Sequence, residues 1–284
     1  MIIAIFAMIG RIILLGFERI LFKKAGKDQN SLVSTFWLFG LAAVFQIPLL
    51  FIYPFTFQDF LNAAPSAGIY TITFSIYVYV LSNYEVSLVT PFYNFNVFFL
   101  LLLSVIFLDE AFTIFKILGI FLLFFGTIFL NKNESILESF KSVYKNRGCQ
   151  LMIVVSLLMA VGRVLDRNMI EETSPPIYSF ALYFLTGLYI GIILLFQRKG
   201  KLIVESFKSQ PKEFLAGGAA NAYSYLFLLI AFTEMEVSVA EPLSMLSVIL
   251  SIILSYFFFK EKIKNRLIGA LIMFSGAILL VIGI

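Results

Sequence analysis

The chain alternates long apolar runs with short polar connections, and inside the runs the apolar residues follow one another without a two-residue rhythm. A membrane barrel strand would alternate apolar and polar positions, whereas Val97 to Leu108 is almost wholly aliphatic and aromatic. Helices are therefore predicted. A helix needs about 20 mainly apolar residues to cross the hydrocarbon core. On that length ten segments are expected, near 2–22, 31–53, 64–82, 86–108, 112–131, 149–170, 175–197, 213–233, 237–259 and 264–284. The fold class that follows is an all-α membrane protein with ten transmembrane helices. Met1 opens directly onto the first run, which reads as a membrane helix rather than a removed leader.

The runs are not independent. Glu85, Val86, Ser87, Pro91, Val97, Leu103, Ser104, Phe107 and Glu110 match Glu236, Val237, Ser238, Pro242, Val248, Leu254, Ser255, Phe258 and Glu261 without a gap. After a one-residue slip, Lys116, Gly119 and Gly126 fall on Arg266, Gly269 and Gly276, and Asp59-Phe60-Leu61 falls on Glu213-Phe214-Leu215. The chain is a duplication: a first five-helix repeat over 1–131, a linker over 132–148 and a second repeat over 149–284. Five crossings per copy is an odd number, so the copies enter the membrane from opposite sides. Inverted repeats of this kind give a transporter two states of similar energy, one open to each side.

Composition and charge narrow the function. With 61% hydrophobic and 13% charged residues, the chain has more apolar surface than a soluble domain can cover, so the bilayer is its first partner. There is no histidine and one cysteine, Cys149, which leaves no expected metal or haem site, no internal disulfide and no histidine base. No cofactor is expected. The net charge of +4 comes from basic residues between the runs and points to loop placement, not to nucleic acid. Lys23, Lys24 and Lys27, Lys132 to Arg147, Arg198 to Lys212, and Lys260 to Arg266 share one face, whereas the other carries only Lys116. By the positive-inside rule the rich loops are cytoplasmic, both termini lie outside, and the cell membrane is the expected location. The two longer connections each contain Glu-Ser-Phe-Lys-Ser, at Glu138 to Ser142 and Glu205 to Ser209; they are expected either to lie along the membrane surface or to be solvated loops.

Each copy carries a proline early in a helix, an apolar run to a glutamate, a basic residue and two glycines seven apart. These are Pro91, Glu110, Lys116, Gly119 and Gly126, then Pro242, Glu261, Arg266, Gly269 and Gly276. In this pattern the chain resembles EamA-type permeases of the drug/metabolite transporter superfamily. The resemblance covers the whole chain and implies a ten-helix permease, often an exporter of amino acids or other small metabolites, with a central cavity. Gly10-Arg11 departs from it, standing where such proteins often show an aromatic-glycine pair, and several relatives are placed with cytoplasmic termini.

Candidate site residues are the polar groups inside the runs. Pro91 and Pro242 each remove a backbone donor and unseat a carbonyl, at Ser87 and Ser238, so both are helix-break positions. Around them stand Thr90, Tyr93 and Asn94 in one copy and Glu241 and Ser244 in the other, at spacings that share a face. Broken helices mark substrate pathways; hydrogen bonding between helices is the competing role. Tyr77, Asn221 and Tyr225 join them as central polar residues, while other tyrosines near helix ends are expected to anchor at the interface.

Charges within the runs are costly and are functional candidates by default. Arg11 lies roughly 14 Å into a core about 30 Å thick, too deep to reach either surface. With Arg163 it is expected to favour a substrate bearing a carboxylate, unless Glu18 and Asp166 neutralise the two arginines. Glu18-Arg19 and Asp166-Arg167 are candidate gates at opposite ends, and Glu241 is the candidate carrier of a coupling proton. No P-loop is present. The function expected is a secondary active transporter, an exporter of an amino acid or organic acid working by alternating access, and not an enzyme. The alternatives are a lipid-carrier flippase of the same fold and a membrane-embedded enzyme, the latter lacking a nucleophile and base. Gly187 and Gly191 form a G-x-x-x-G stripe for close packing or for a homodimer, so the protein is expected to be a monomer or a homodimer.

Overall fold

The computed structural model describes residues 1–25, 29–84, 92–130, 146–259 and 267–283. Among them no strand occurs, and twelve helices follow one another: α1 Ile2–Ala25, α2 Ser31–Gln46, α3 Phe57–Asn83, α4 Asn96–Phe107, α5 Ile114–Leu130, α6 Arg147–Glu172, α7 Pro175–Phe196, α8 Gly200–Ser209, α9 Pro211–Phe232, α10 Val237–Leu243, α11 Ser247–Phe259 and α12 Leu267–Ile282. A 3₁₀ turn over Ile47–Phe51 extends α2, and another over Ser244–Leu246 joins α10 to α11.

Each of the ten predicted segments overlaps a described helix, so the order fits ten crossings. Ser31–Phe51, Arg147–Glu172, Pro175–Phe196 and Pro211–Phe232 are long and apolar enough to cross a bilayer; other apolar helices, such as Asn96–Phe107, are shorter. Two differences from the predicted segments have local causes. The third begins at Phe57, because Asp59 Oδ2 accepts from the Thr56 amide at 2.6 Å and starts the helix well before the apolar run does. The ninth is broken, because Pro242 has no amide to donate and the chain tightens into the 3₁₀ turn two residues later. Of the two Glu-Ser-Phe-Lys-Ser segments, the second falls in α8, and the first lies outside the described residues.

The helices gather into two compact units that cut across the sequence halves: Met1–Ser75 with Leu165–Glu234, and Ile76–Val164 with Met235–Ile284. The helices α3 and α6 pass from one into the other along the chain. In the first unit α2 lies against α7 so tightly that a Cβ on Gly187 would stand 3.3 Å from Gly40 Cα, and one on Gly191 would stand 3.0 Å from the Phe36 ring. Residue numbers rise along one helix as they fall along the other. Equivalent helices of the two repeats thus pack antiparallel, which is what inversion requires. The G-x-x-x-G stripe is consequently occupied by α2 of the same chain and is not left for a second copy.

The same arrangement recurs in the second unit. A Cβ on Gly119 would come within 2.8 Å of the Gly276 carbonyl oxygen, and one on Gly126 within 2.8 Å of that of Gly269, so α5 and α12 also run antiparallel. The four glycines that recur in the sequence meet each other in pairs. Without side chains between them the backbones reach van der Waals contact, the chief attraction between helices where lipid is as apolar as leucine.

Gly276→Ala therefore drives a methyl group into a backbone oxygen and is expected to cost about 1–3 kcal/mol, read as a lowered melting temperature in detergent. Gly68→Ala, whose Cβ would have nothing within 4 Å, is expected to be neutral or stabilising by up to about 1 kcal/mol. Equal losses at the two positions would contradict the packing account.

Candidate functional site

In the first unit the polar side chains converge on one face of α9. Asn221, Ser224 and Tyr225 are three and four residues apart and so project together. Across from them, α1 is brought close by Gly10, where a Cβ would meet the Phe227 ring at 2.8 Å. The next residue is Arg11. Its Nη1 donates to Ser224 Oγ at 2.7 Å, the residue as a whole is 6% exposed, and its Nε has no partner among the described groups. A serine hydroxyl is neutral, so the hydrogen bond orients the guanidinium without cancelling its charge.

One turn back along α9, Asn221 is held from α7. The Tyr183 hydroxyl lies 2.7 Å from Asn221 Oδ1 and 2.9 Å from the Asn221 carbonyl. The Asn221 Nδ2 has no partner among the described groups. Arg11, bonded to Ser224, and Asn221, one turn before that serine on the same face of α9, thus each hold a donor in surplus. An ionised carboxylate, which only accepts, complements such a pair.

Asp166 on α6 is fully buried and is met by tyrosines from three other helices. Tyr70 of α3 and Tyr225 of α9, the latter at 2.7 Å, donate to its Oδ2, and Tyr178 of α7 donates to Oδ1 at 2.8 Å. Ser66 Oγ lies 2.8 Å from the Tyr178 hydroxyl, whose single proton is engaged with Asp166, so Ser66 is the donor of that bond. Three phenols aimed at two carboxylate oxygens solvate a charge that water does not reach. Gln46 contributes a further cross-link, with Nε2 donating to Ser179 Oγ at 2.8 Å and to the Ala222 carbonyl at 2.7 Å.

In the second unit the interrupted helix carries the charge. Glu241, one residue before Pro242, lies with its Oε2 3.3 Å from Nε of Arg163, and both side chains are buried. Ser244 donates to the Ala240 carbonyl at 3.2 Å within the turn that follows. Tyr77 and Tyr93 are half-buried, with ring centroids 5.3 Å apart, and Asn94 sits in the turn before α4. Thr90 and Pro91 lie outside the described residues.

The predicted site residues are thus distributed between two constellations. Arg11, Asn221, Tyr225 and Asp166 belong to the first unit, and Arg163, Glu241, Ser244 and Pro242 to the second. Arg163 faces an acid and so does not share the uncompensated setting of Arg11. Arg167, expected beside Asp166, bridges instead to Glu171 at 2.8 Å one turn on, since adjacent helical residues point apart. Glu18 is half-buried on α1. Sequence reasoning missed Tyr178, Tyr183, Ser66 and Gln46, and it assigned Tyr70 to the interface. A signal existed for Tyr178, which lies one turn beyond Pro175-Pro176 and so inside the helix those prolines begin.

The family model of EamA-like transporters matches residues 2–132 and again 146–282. No curated protein matches the chain. Among solved structures, one crystal structure matches with a TM-score of 0.73 at 12% sequence identity, over 98% of this chain and 96% of its own, a likeness of fold.

Asp166→Asn leaves one acceptor oxygen for three phenols and sets an amide N–H against a hydroxyl donor. A loss of at least about 2 kcal/mol of stability is expected, measured by thermal unfolding. Glu171→Gln, which removes only the exposed partner of Arg167, should change stability by less than about 0.5 kcal/mol.

Proposed function

Because the chain belongs to the EamA-like transporter family, we propose that it carries a small carboxylate-bearing metabolite across the cell membrane by alternating access. An amino acid or small organic acid is the simplest such substrate, and export is the direction the family resemblance suggests. The observation that carries the substrate class is Arg11: a buried arginine in the first helix, bonded to a neutral serine, with a second unsatisfied donor on Asn221 in the same unit. A substrate carboxylate supplies the missing acceptor and takes two parallel bonds from the planar guanidinium, which an ammonium in its place cannot offer. The two repeats, 1–131 and 149–284, exchange roles between inward-open and outward-open states in this reading, with the basic loops cytoplasmic and the termini outside.

Glu241 is the proposed coupling residue. A proton arriving there removes the charge that faces Arg163 and frees the interrupted helix to move, so proton entry and helix motion are linked through one contact. Glu18 and Asp166 remain proposed gate residues, Asp166 through the tyrosines of three helices that it joins.

Counterflow of radiolabelled amino acids and organic acids in proteoliposomes tests the anchor. Arg11→Gln should lower it at least tenfold, while Arg167→Gln, already paired with Glu171, should leave it within about twofold. Equal effects would overturn the reading. Glu241→Gln should abolish accumulation driven by a pH gradient while sparing exchange at equal pH; unchanged gradient dependence would remove Glu241 from coupling.

A further inference from the structure

The N-terminus of α10 is capped by a residue of the other repeat. Glu236 stands at the N-cap position with extended backbone, φ −61° and ψ 141°, yet its side chain makes no bond to the helix it precedes. It pairs with Lys116 of α5 instead. Lys116 is completely buried, and its Nζ also donates to the Ala111 carbonyl at 2.7 Å, so this lysine fixes Glu236 away from the amides. Those amides are met by Glu110. One carboxylate oxygen accepts from the Val237 amide at 2.6 Å and the other from the Ser238 amide at 3.0 Å. Asp109 makes the approach feasible by adopting φ 54° after α4, a left-handed conformation that aspartate tolerates better than most residues.

The cap matters more here than on a long helix. With Val237–Leu243 as its whole length, α10 has few internal hydrogen bonds, and Pro242 removes one further donor, so its position depends on what holds its ends. An anionic carboxylate at the N-terminus also meets the positive end of the helix dipole. Three residues beyond Ser238 is Glu241, facing Arg163. We infer that Glu110 is a positioning residue: by capping α10 from the α4–α5 connection it sets where Glu241 stands, and Lys116 holds Glu236 out of the way. Its importance for transport rests on the part proposed for Glu241. The positioning itself is independent of any substrate.

The full-length protein in nanodiscs, studied by hydrogen exchange and thermal unfolding without substrate, tests this. Glu110→Gln keeps the shape of the side chain but replaces one acceptor with an amide donor. Exchange at Val237 and Ser238 should quicken by about tenfold while α9 is unchanged, and Glu110→Asp, which keeps both acceptors on a shorter arm, should fall between Gln and the natural residue. Glu110→Gln and Glu241→Gln should then lower the melting temperature by less together than the sum of their separate effects. Natural exchange rates in Glu110→Gln, equal acceleration in α9, or strictly additive melting shifts would each overturn the inference. Because no substrate enters these measurements, failure of the carboxylate reading leaves them intact, and their failure leaves that reading intact.

Discussion

A charge buried in a membrane helix cannot be left to water, and the polar architecture of this protein follows from that constraint. Five buried charges among the described residues show four different answers. Asp166 is solvated by three phenols, Lys116 by an acid and a carbonyl, and Glu241 by Arg163. Arg11 meets a serine hydroxyl and no acid among the described residues. The first three arrangements bring helices together from distant parts of the chain, so each also acts as a tie between them. The fourth leaves a guanidinium nitrogen without a hydrogen-bond partner among the described groups, the feature on which the proposed carboxylate site rests.

The second constraint is steric. Glycines on α5 and α12, and on α2 and α7, let equivalent helices of the two repeats touch backbone to backbone in opposite directions. Antiparallel contact between like helices is the local expression of an inverted duplication, and it appears in each compact unit separately. The capping of α10 by Glu110 belongs to the same logic, since a residue of the first repeat completes a helix of the second. Glu85, Ser87, Glu261 and Arg266 occupy the matching sequence positions and lie outside the described residues.

Much of the fold was legible because its signals are periodic or repeated. Apolar run lengths located the helices, and the recurrence of Pro242, Gly269 and Gly276 with Pro91, Gly119 and Gly126 exposed the duplication. The candidate site was less legible, because a hydrogen bond between helices leaves no trace in the spacing along either one. Tyr70 looked like an interfacial anchor because tyrosine near a helix end commonly is one. Extension of α3 back to Phe57 moved it into the interior, where its hydroxyl finds Asp166. Arg11 and Arg163 looked alike in sequence, and only the placement of Glu241 distinguishes them. The residue that caps α10 stands 127 positions before Val237, so no local pattern announces it.

The central claim, that the uncompensated guanidinium of Arg11 selects the cargo, is tested most directly by substrate class. The unmodified protein, reconstituted into liposomes, would be offered radiolabelled monocarboxylates, amino acids, sugars, quaternary ammonium compounds and lipids in parallel. Saturable counterflow confined to carboxylate-bearing compounds is the predicted result; equal or stronger movement of a quaternary ammonium compound or a lipid would contradict the account.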